Sequence, residues 1–363
     1  MKIESSSEEK TMSRYMSKNL EAMTPYTPGE QPRDQQYVKL NTNESPFPPS
    51  AKAMEYMQEH TRSLNLYPDP TAEELRRAVA MHSQALKEEV IMGNGSDELL
   101  YFAFRAFGDA DHPIVSADIT YGCYPVFAAA LGLKYETVPL DEEFGIRVED
   151  YDDKHGVIVI ANPNAPTGRC LTMAKIDRLA GAHPDDVIIV DEAYIDFGGQ
   201  SVLPLTKKYD NLLVVQTFSK SRSMAGARLG FAVGDKRLIA DMETVRNSFN
   251  PYNINSMTMS LGLGALADRN YFLANCRTII KNRDYTVTEL MKLGFKVLDS
   301  KANFIFASHP SIGGKELYLS LKERGVLVRY FDKDRIREYV RISIGKKEQM
   351  DVLLEKVQEI LAK

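Results

Sequence analysis

Val187-Ile188-Ile189-Val190-Asp191-Glu192-Ala193-Tyr194 decides the fold. Four apolar residues end in two acids, and no polar residue interrupts the four. A strand of this kind is buried on both faces, as in a parallel sheet covered by helices. Outward from it lie five more short apolar runs: VIM at 90–92, PIVSA at 113–117, VIVIA at 157–161, LLVVQ at 212–216 and LGFAVG at 229–234. Helical stretches separate several of them, which is the α/β alternation of a mostly parallel sheet. One such helix is expected after Pro70, with Thr71 and Glu74 as a capping box and Leu75, Ala78, Val79, His82 and Leu86 at helical spacing. The C-terminal third reads differently. FKVLDS, ANFIFAS, GVLVRY and YVRISIG are shorter and more alternating, and the last helix carries Met350, Leu353, Leu354, Val357 and Leu361 on one face.

Composition sets the limits. A chain of 363 residues suggests about two domains. The expected division is an acidic disordered tail over 1–12, an N-terminal arm over 13–44 packed on the smaller domain, a large domain over 45–256 and a small α+β domain over 257–363. Lysine plus arginine is 45 against 50 acids, a net charge of −5. A dedicated nucleic-acid binder would show a basic excess. The opening MKIESSSEEK is polar, so no secretory signal is expected, and no apolar run approaches a membrane span. Cys123, Cys170 and Cys276 are distant and odd in number, so neither a disulfide framework nor a zinc site is indicated, and a cytoplasmic location is expected. Without a signal peptide, the glycosylation patterns at Asn43 and Asn94 carry no weight. The six histidines form no metal motif.

In open α/β sheets, ligands bind beyond the carboxyl ends of the strands. Four such ends carry polar groups. Gly93-Asn94-Gly95-Ser96-Asp97-Glu98 follows the first run, Asn162-Pro163-Asn164-Ala165-Pro166-Thr167-Gly168 follows the VIVIA run, Asp191 to Tyr194 close the quoted run, and Thr217-Phe218-Ser219-Lys220 follows LLVVQ. The first loop is a poor dinucleotide fingerprint, because Glu98 occupies the third glycine position. A glycine turn before a helix still offers N–H groups to one phosphate. A lysine amine forms a Schiff base with a carbonyl cofactor such as pyridoxal phosphate. That cofactor needs a carboxylate beside its ring nitrogen, which Asp191 can supply. It also needs phosphate anchors, for which Gly95, Ser96, Asp97, Ser219 and Arg228 are available. Tyr194, three residues beyond Asp191, is within reach of the ring hydroxyl.

The ordered set GNGSDE, TYG, NPNAPTG, DEAY and SK, with Arg228 eight residues on, resembles the fold-type I aminotransferases. TPY, NTNES, LNLYPDP, DEAYIDF, GVLVRY and VRISIG narrow the resemblance to the histidinol-phosphate aminotransferase family, over roughly 15–360. The resemblance implies a large domain built on a mostly parallel seven-stranded sheet, a smaller α+β domain, and pyridoxal 5′-phosphate as cofactor. It implies that Lys220 carries the cofactor and shuttles the proton at substrate Cα, that Asp191 pairs with the ring nitrogen, and that Tyr194 donates to the ring hydroxyl. Tyr121 would stack on the ring, Arg228 would bind the phosphate, and Thr217 would also touch the cofactor. Tyr67 would reach the phosphate of a partner subunit, which implies a homodimer with a shared site. Tyr26, Asn43, Arg329 and Arg341 would bind substrate, since one pair of guanidinium forks suits phosphate and carboxylate alike. The sequence departs from the family at Ala165, where asparagine usually precedes Pro-Thr-Gly, and Asn162 or Asn164 is the expected substitute. The implied reaction joins histidinol phosphate and 2-oxoglutarate to imidazole-acetol phosphate and glutamate. An aromatic aminotransferase and a phosphothreonine-type decarboxylase are alternatives on the same scaffold. A nicotinamide dehydrogenase and a non-catalytic relative are the alternatives of other classes.

Overall fold

The structure is a computed structural model that describes residues 13–17, 20, 23–32 and 34–362. The expected tail over 1–12 lies outside them. The strands and longer helices, in chain order, are β1 (Val38–Lys39), α1 (Ala51–Glu59), α2 (Glu73–Ser83), β2 (Val90–Gly93), α3 (Ser96–Phe107), β3 (Ile114–Ala117), α4 (Tyr124–Leu131), β4 (Tyr135–Val138), β5 (Val157–Ala161), α5 (Met173–Ala182), β6 (Val187–Asp191), β7 (Leu212–Thr217), β8 (Gly230–Val233), α6 (Lys236–Phe249), α7 (Ser256–Ala267), α8 (Arg269–Lys292), β9 (Lys296–Val297), β10 (Phe304–Ser308), α9 (Gly314–Glu323), β11 (Val326–Leu327), β12 (Arg329–Tyr330), β13 (Tyr339–Ser343) and α10 (Lys347–Leu361).

Seven strands form the large sheet in the order β2-β8-β7-β6-β5-β3-β4. All neighbours pair in parallel except at β8, which runs antiparallel to both β2 and β7. No helix as long as those named spans residues 218–229, so the chain turns back after Thr217 and does not cross over. That reversal brings the amino end of β8 to the same edge as the carboxyl ends of its neighbours: Gly230 pairs with Gly93 on one side and Thr217 on the other. The apolar runs serve both faces. Ile158, Ile160, Ile188 and Val214 enter one cluster, while Val157, Val159, Ile189 and Val215 enter the opposite one with Leu100 and Phe104. β4 is the strand the apolar runs do not announce. It is an edge strand, its Tyr135-Glu136-Thr137 half-exposed or exposed, so it lacks the apolar run of an internal strand.

A second, four-stranded antiparallel sheet has the order β12-β13-β10-β9. Beside it β1 pairs in parallel with β11, and the Ser343 N–H donates to the Leu40 carbonyl at 2.9 Å. Residues 38–40 of the arm thus lie beside this sheet. The last helix buries Met350, Leu353, Leu354, Val357 and Ile360; Ile360, not Leu361, completes the stripe.

Two local expectations are corrected. The capping box at Thr71 and Glu74 does not form. Asp69 takes that work, accepting from the Thr71 N–H and hydroxyl at 2.9 and 2.7 Å and from the Glu73 N–H at 2.8 Å. The helix it starts ends at Ser83, because Gln84 turns left-handed at φ 54°, and Leu86 lies exposed beyond it. Leu261 and Ala265 of α7 pack in one cluster with Val79, Val90 and Phe231, so α7 stays with the large sheet.

Candidate active site

A cavity sits over the carboxyl edge of the large sheet. Asp191, Thr217, Ser219, Lys220, Tyr194, Tyr121, Ser96, Asp97 and Arg228 line it. Residues from five separate stretches of sequence therefore meet there, as the strand-end reading requires. A second, larger cavity of about 1780 Å³ adjoins it, lined by Tyr26, Asn43, Arg329 and Arg341 among others. Lys220, Tyr194, Tyr121 and Ala165 line both, so the lysine stands at the junction.

One end of the first cavity is an anion cradle. α3 opens with Gly95 at φ 87° and no side chain caps it. The first-turn N–H groups of Ser96 and Asp97 have no partner within a helix, and helix N-termini favour negative charge. Glu98 is spent elsewhere, its Oε2 accepting from the Asn94 N–H and from Asn253 Nδ2, both at 2.6 Å. Gly230 lets the helix approach: a Cβ there would fall 2.6 Å from the Ser96 nitrogen and 2.7 Å from the Gly95 carbonyl carbon. Arg228, at φ 54°, donates from Nη1 to Ser219 Oγ at 3.4 Å and from Nη2 to Asp97 Oδ2 at 3.2 Å. The Asp97 carboxylate also accepts from the Tyr121 hydroxyl at 2.9 Å. Asp97 thus holds Arg228 and Tyr121 in place through its side chain and can meet an anion only with its backbone. Thr217 donates to Ser219 Oγ at 3.0 Å and fixes it.

At the other end lies a buried acid. Asp191 Oδ2 accepts from the Tyr124 hydroxyl at 2.7 Å, and Oδ1 accepts from the Ala193 N–H at 3.1 Å. Burial pushes its carboxyl up to about 6, against the lowering effect of those two donors. No lysine or arginine forms an ion pair with it among the described residues. A buried carboxylate without a cation is costly, so this position suits a cationic group brought by a ligand. Tyr124 was not foreseen; three residues after Tyr121, its only signal was a second aromatic in TYGCY.

The second cavity carries the arginines. Arg329 and Arg341 face each other directly across β12 and β13. Like charges so placed destabilise a sheet, and a shared anion would relieve them. Arg341 lies between Phe304 and Phe331, its guanidinium carbon 5.3 and 5.6 Å from the two ring centres. Its Nη2 donates to the Asn41 carbonyl at 3.0 Å, while its buried Nε has no partner among the described residues. Arg329 donates to the Pro28 and Thr27 carbonyls at 3.2 and 3.0 Å and so ties down the segment that carries Tyr26. Tyr26 stands 6.3 Å from Tyr121, ring centre to ring centre.

Four expected residues do not line the cavities. Asn162 accepts from the Leu171 N–H at 2.7 Å and donates to the Leu171 carbonyl. Asn164 binds the Ile119 carbonyl, Thr167 and Thr120. Both asparagines hold their loop together and neither lines a cavity, whereas Ala165 lines both. Tyr67 is 81% exposed and stacks on Tyr252 at 4.6 Å, outside both cavities of its own chain. Gly95, the fourth, lines neither cavity and has only its backbone to offer.

The fold and this site define an enzyme class whose lysine, strand-end acid and anion cradle share one cavity. The aminotransferase class I and II family model matches residues 35–357, and the chain belongs to that family. It is 47% identical over 352 residues to a histidinol-phosphate aminotransferase of Clostridium beijerinckii, covering 97% of this chain and 98% of that one. It is 46% identical to one of Brachyspira hyodysenteriae, covering 96% and 99%. Among solved structures, the histidinol-phosphate aminotransferase of Clostridium acetobutylicum superposes with a TM-score of 0.83 at 25% identity, covering 89% of this chain and 99% of that one. The Sinorhizobium meliloti enzyme in complex with pyridoxal-5′-phosphate shares the fold at TM-score 0.81 and 22% identity, covering 90% and 92%.

Proposed function

We propose that this aminotransferase moves an amino group between L-histidinol phosphate and 2-oxoglutarate, forming imidazole-acetol phosphate and glutamate, within histidine biosynthesis. Pyridoxal 5′-phosphate is its cofactor. The observation that carries the substrate reading is the opposed pair Arg329 and Arg341, with the unpartnered Arg341 Nε, in the cavity that shares Lys220 with the first. Two forks in one place suit a phosphate in one half-reaction and a carboxylate in the other. The names of the relatives at 46–47% identity support the same substrate.

The first cavity fits the cofactor on its own geometry. The uncapped start of α3, Ser219 and Arg228 would take a phosphate, and the buried, cation-free Asp191 would hold a proton on a ring nitrogen. When bound, the cofactor supplies an electron sink for charge developing at substrate Cα. The chain supplies the rest. Tyr121, fixed by Asp97, would cover one face of the ring. Lys220, at the junction of the two cavities, would hold the cofactor and, once freed by substrate, take and return the proton at Cα. Arg341 and Arg329 seat the far anionic end, and Tyr26 closes over it.

The working unit we infer is a cytoplasmic homodimer in which Tyr67 reaches the phosphate of the other subunit. Its support is the exposed aromatic pair Tyr67 and Tyr252, flanked by exposed Leu64 and Leu66, since contiguous apolar surface marks a contact face. Three free cysteines suit a reducing compartment. Borohydride reduction of the loaded protein followed by peptide mapping tests the cofactor assignment. The label is expected on Lys220, and a label elsewhere or none overturns it.

A further inference from the structure

The hydroxyl of Tyr194 accepts a hydrogen bond from Asn43 Nδ2 at 3.1 Å. Its own hydrogen has no protein acceptor among the described residues, and the side chain lines the first cavity beside Lys220. Whether Tyr194 donates into the cavity therefore depends on which end of the Asn43 amide it meets. That choice is made elsewhere. The Asn43 backbone N–H donates to Ser343 Oγ at 2.8 Å. A backbone N–H can only donate, so the serine oxygen accepts, and its single hydrogen turns to the acceptor at 2.9 Å, Asn43 Oδ1. With Oδ1 occupied by a donor, Nδ2 must face Tyr194. The frame around this relay is rigid. Asn43 sits at φ 56° and is 1% exposed. Asn303 donates to its carbonyl at 2.9 Å, and Ser343 is clamped to Leu40.

We propose that Ser343 and Asn43 are positioning residues that lock Tyr194 as a hydrogen-bond donor toward the cofactor's ring oxygen, by polarity passed from one backbone N–H through the serine hydroxyl and the amide. The inference rests on the cofactor reading above. It assigns a task to Ser343, which lies on β13 two residues beyond Arg341 and touches neither cavity. The cavity lining adds reason for it: Ala165, which also lines it, carries no amide that could donate. A donor at the ring oxygen favours its anionic form and lowers the pH at which the Lys220-bound cofactor loses its proton. Without the serine, the amide is free to turn, its oxygen takes the tyrosine hydrogen, and the donation ends. The other titratable or charged groups around Tyr194 are Lys220, Arg341, Tyr26 and Asp191; the variants leave all of them in place.

The test is a pH titration of the visible absorbance of loaded protein, without substrate. Ser343→Ala should raise the midpoint by about one pH unit, the worth of one hydrogen bond. Ser343→Thr, which keeps the hydroxyl, should leave it unchanged. Tyr194→Phe should raise it at least as far, and adding Ser343→Ala to Tyr194→Phe should add nothing. Should Ser343→Ala not fold, Asn43→Asp replaces the donor with an acceptor at nearly constant shape and should raise the midpoint too. If Tyr194→Phe shifts the midpoint but Ser343→Ala, or Asn43→Asp in its place, does not, the relay is refuted and the cofactor reading stands. If Tyr194→Phe shifts nothing, the assigned contact between Tyr194 and the cofactor is itself wrong, and the relay falls with it.

Discussion

Replacing Asp191 with asparagine should make the cofactor-free protein more stable while removing its activity. Burial holds the Asp191 carboxyl at about 6 in the folded chain, against an ordinary value of 3.8. A raised carboxyl costs folding free energy only where the unfolded chain is ionised. The cost is therefore absent below pH 3.8, grows as pH rises toward 6 and is complete above it. At 1.36 kcal/mol per pH unit, the full cost is about 3 kcal/mol. Asparagine removes the charge and keeps the shape. Its oxygen still accepts from the Ala193 N–H, and the Tyr124 hydroxyl rotates to accept from its amide. Glu192, which burial raises to about 7, is present in both proteins and cancels. Urea unfolding of cofactor-free wild type and Asp191→Asn at pH 8 should show the variant more stable by about 2 to 3 kcal/mol, with the gap nearly closed at pH 4. In loaded protein the ring nitrogen's proton offsets the buried charge, so the advantage should shrink there while turnover collapses. A variant no more stable than wild type at pH 8 would refute the reasoning, because the acid would then not be a buried charge awaiting a cation.

Arg341→Ala should raise KM for both the phosphate and the dicarboxylate substrate, each by about tenfold or more, since charge-assisted bonds are worth about 1.5–3 kcal/mol; steady-state kinetics with either substrate varied checks it, and an effect on one alone would break the shared-site reading. Gly230→Ala should weaken cofactor binding more than it destabilises the sheet, because its Cβ would meet the Ser96 and Gly95 backbone; equilibrium dialysis against pyridoxal phosphate, with urea unfolding of the cofactor-free form, separates the two.

What the sequence made legible follows from where information is dense. The six apolar runs became strands because burial on both faces leaves little room for polar residues, and the carboxyl ends of the five that run alike then had to share an edge. Lys220, Asp191, Tyr194 and Arg228 meet for that reason, although Arg228 arrives through the antiparallel β8. Edge positions carry less. β4 is half-exposed and reads as loop, and the Asp69 cap depends on backbone geometry that Thr71 and Glu74 mimic. Asn162 and Asn164 sit in the right loop, but the orientation of a short polar side chain is set by its nearest backbone partners, here Leu171 and Ile119. Residues separated by 300 positions, such as Asn43 and Ser343, leave no local pattern at all.

The measurement that tests the account most directly is a single half-reaction. Purified protein loaded with pyridoxal phosphate is mixed with L-histidinol phosphate, no keto acid present, and the visible band is followed in time, with phenylalanine and phosphothreonine in parallel. Rapid loss of the band with histidinol phosphate, restored by 2-oxoglutarate, is the predicted result. Loss with phenylalanine or phosphothreonine and none with histidinol phosphate would contradict the substrate assigned to Arg329 and Arg341.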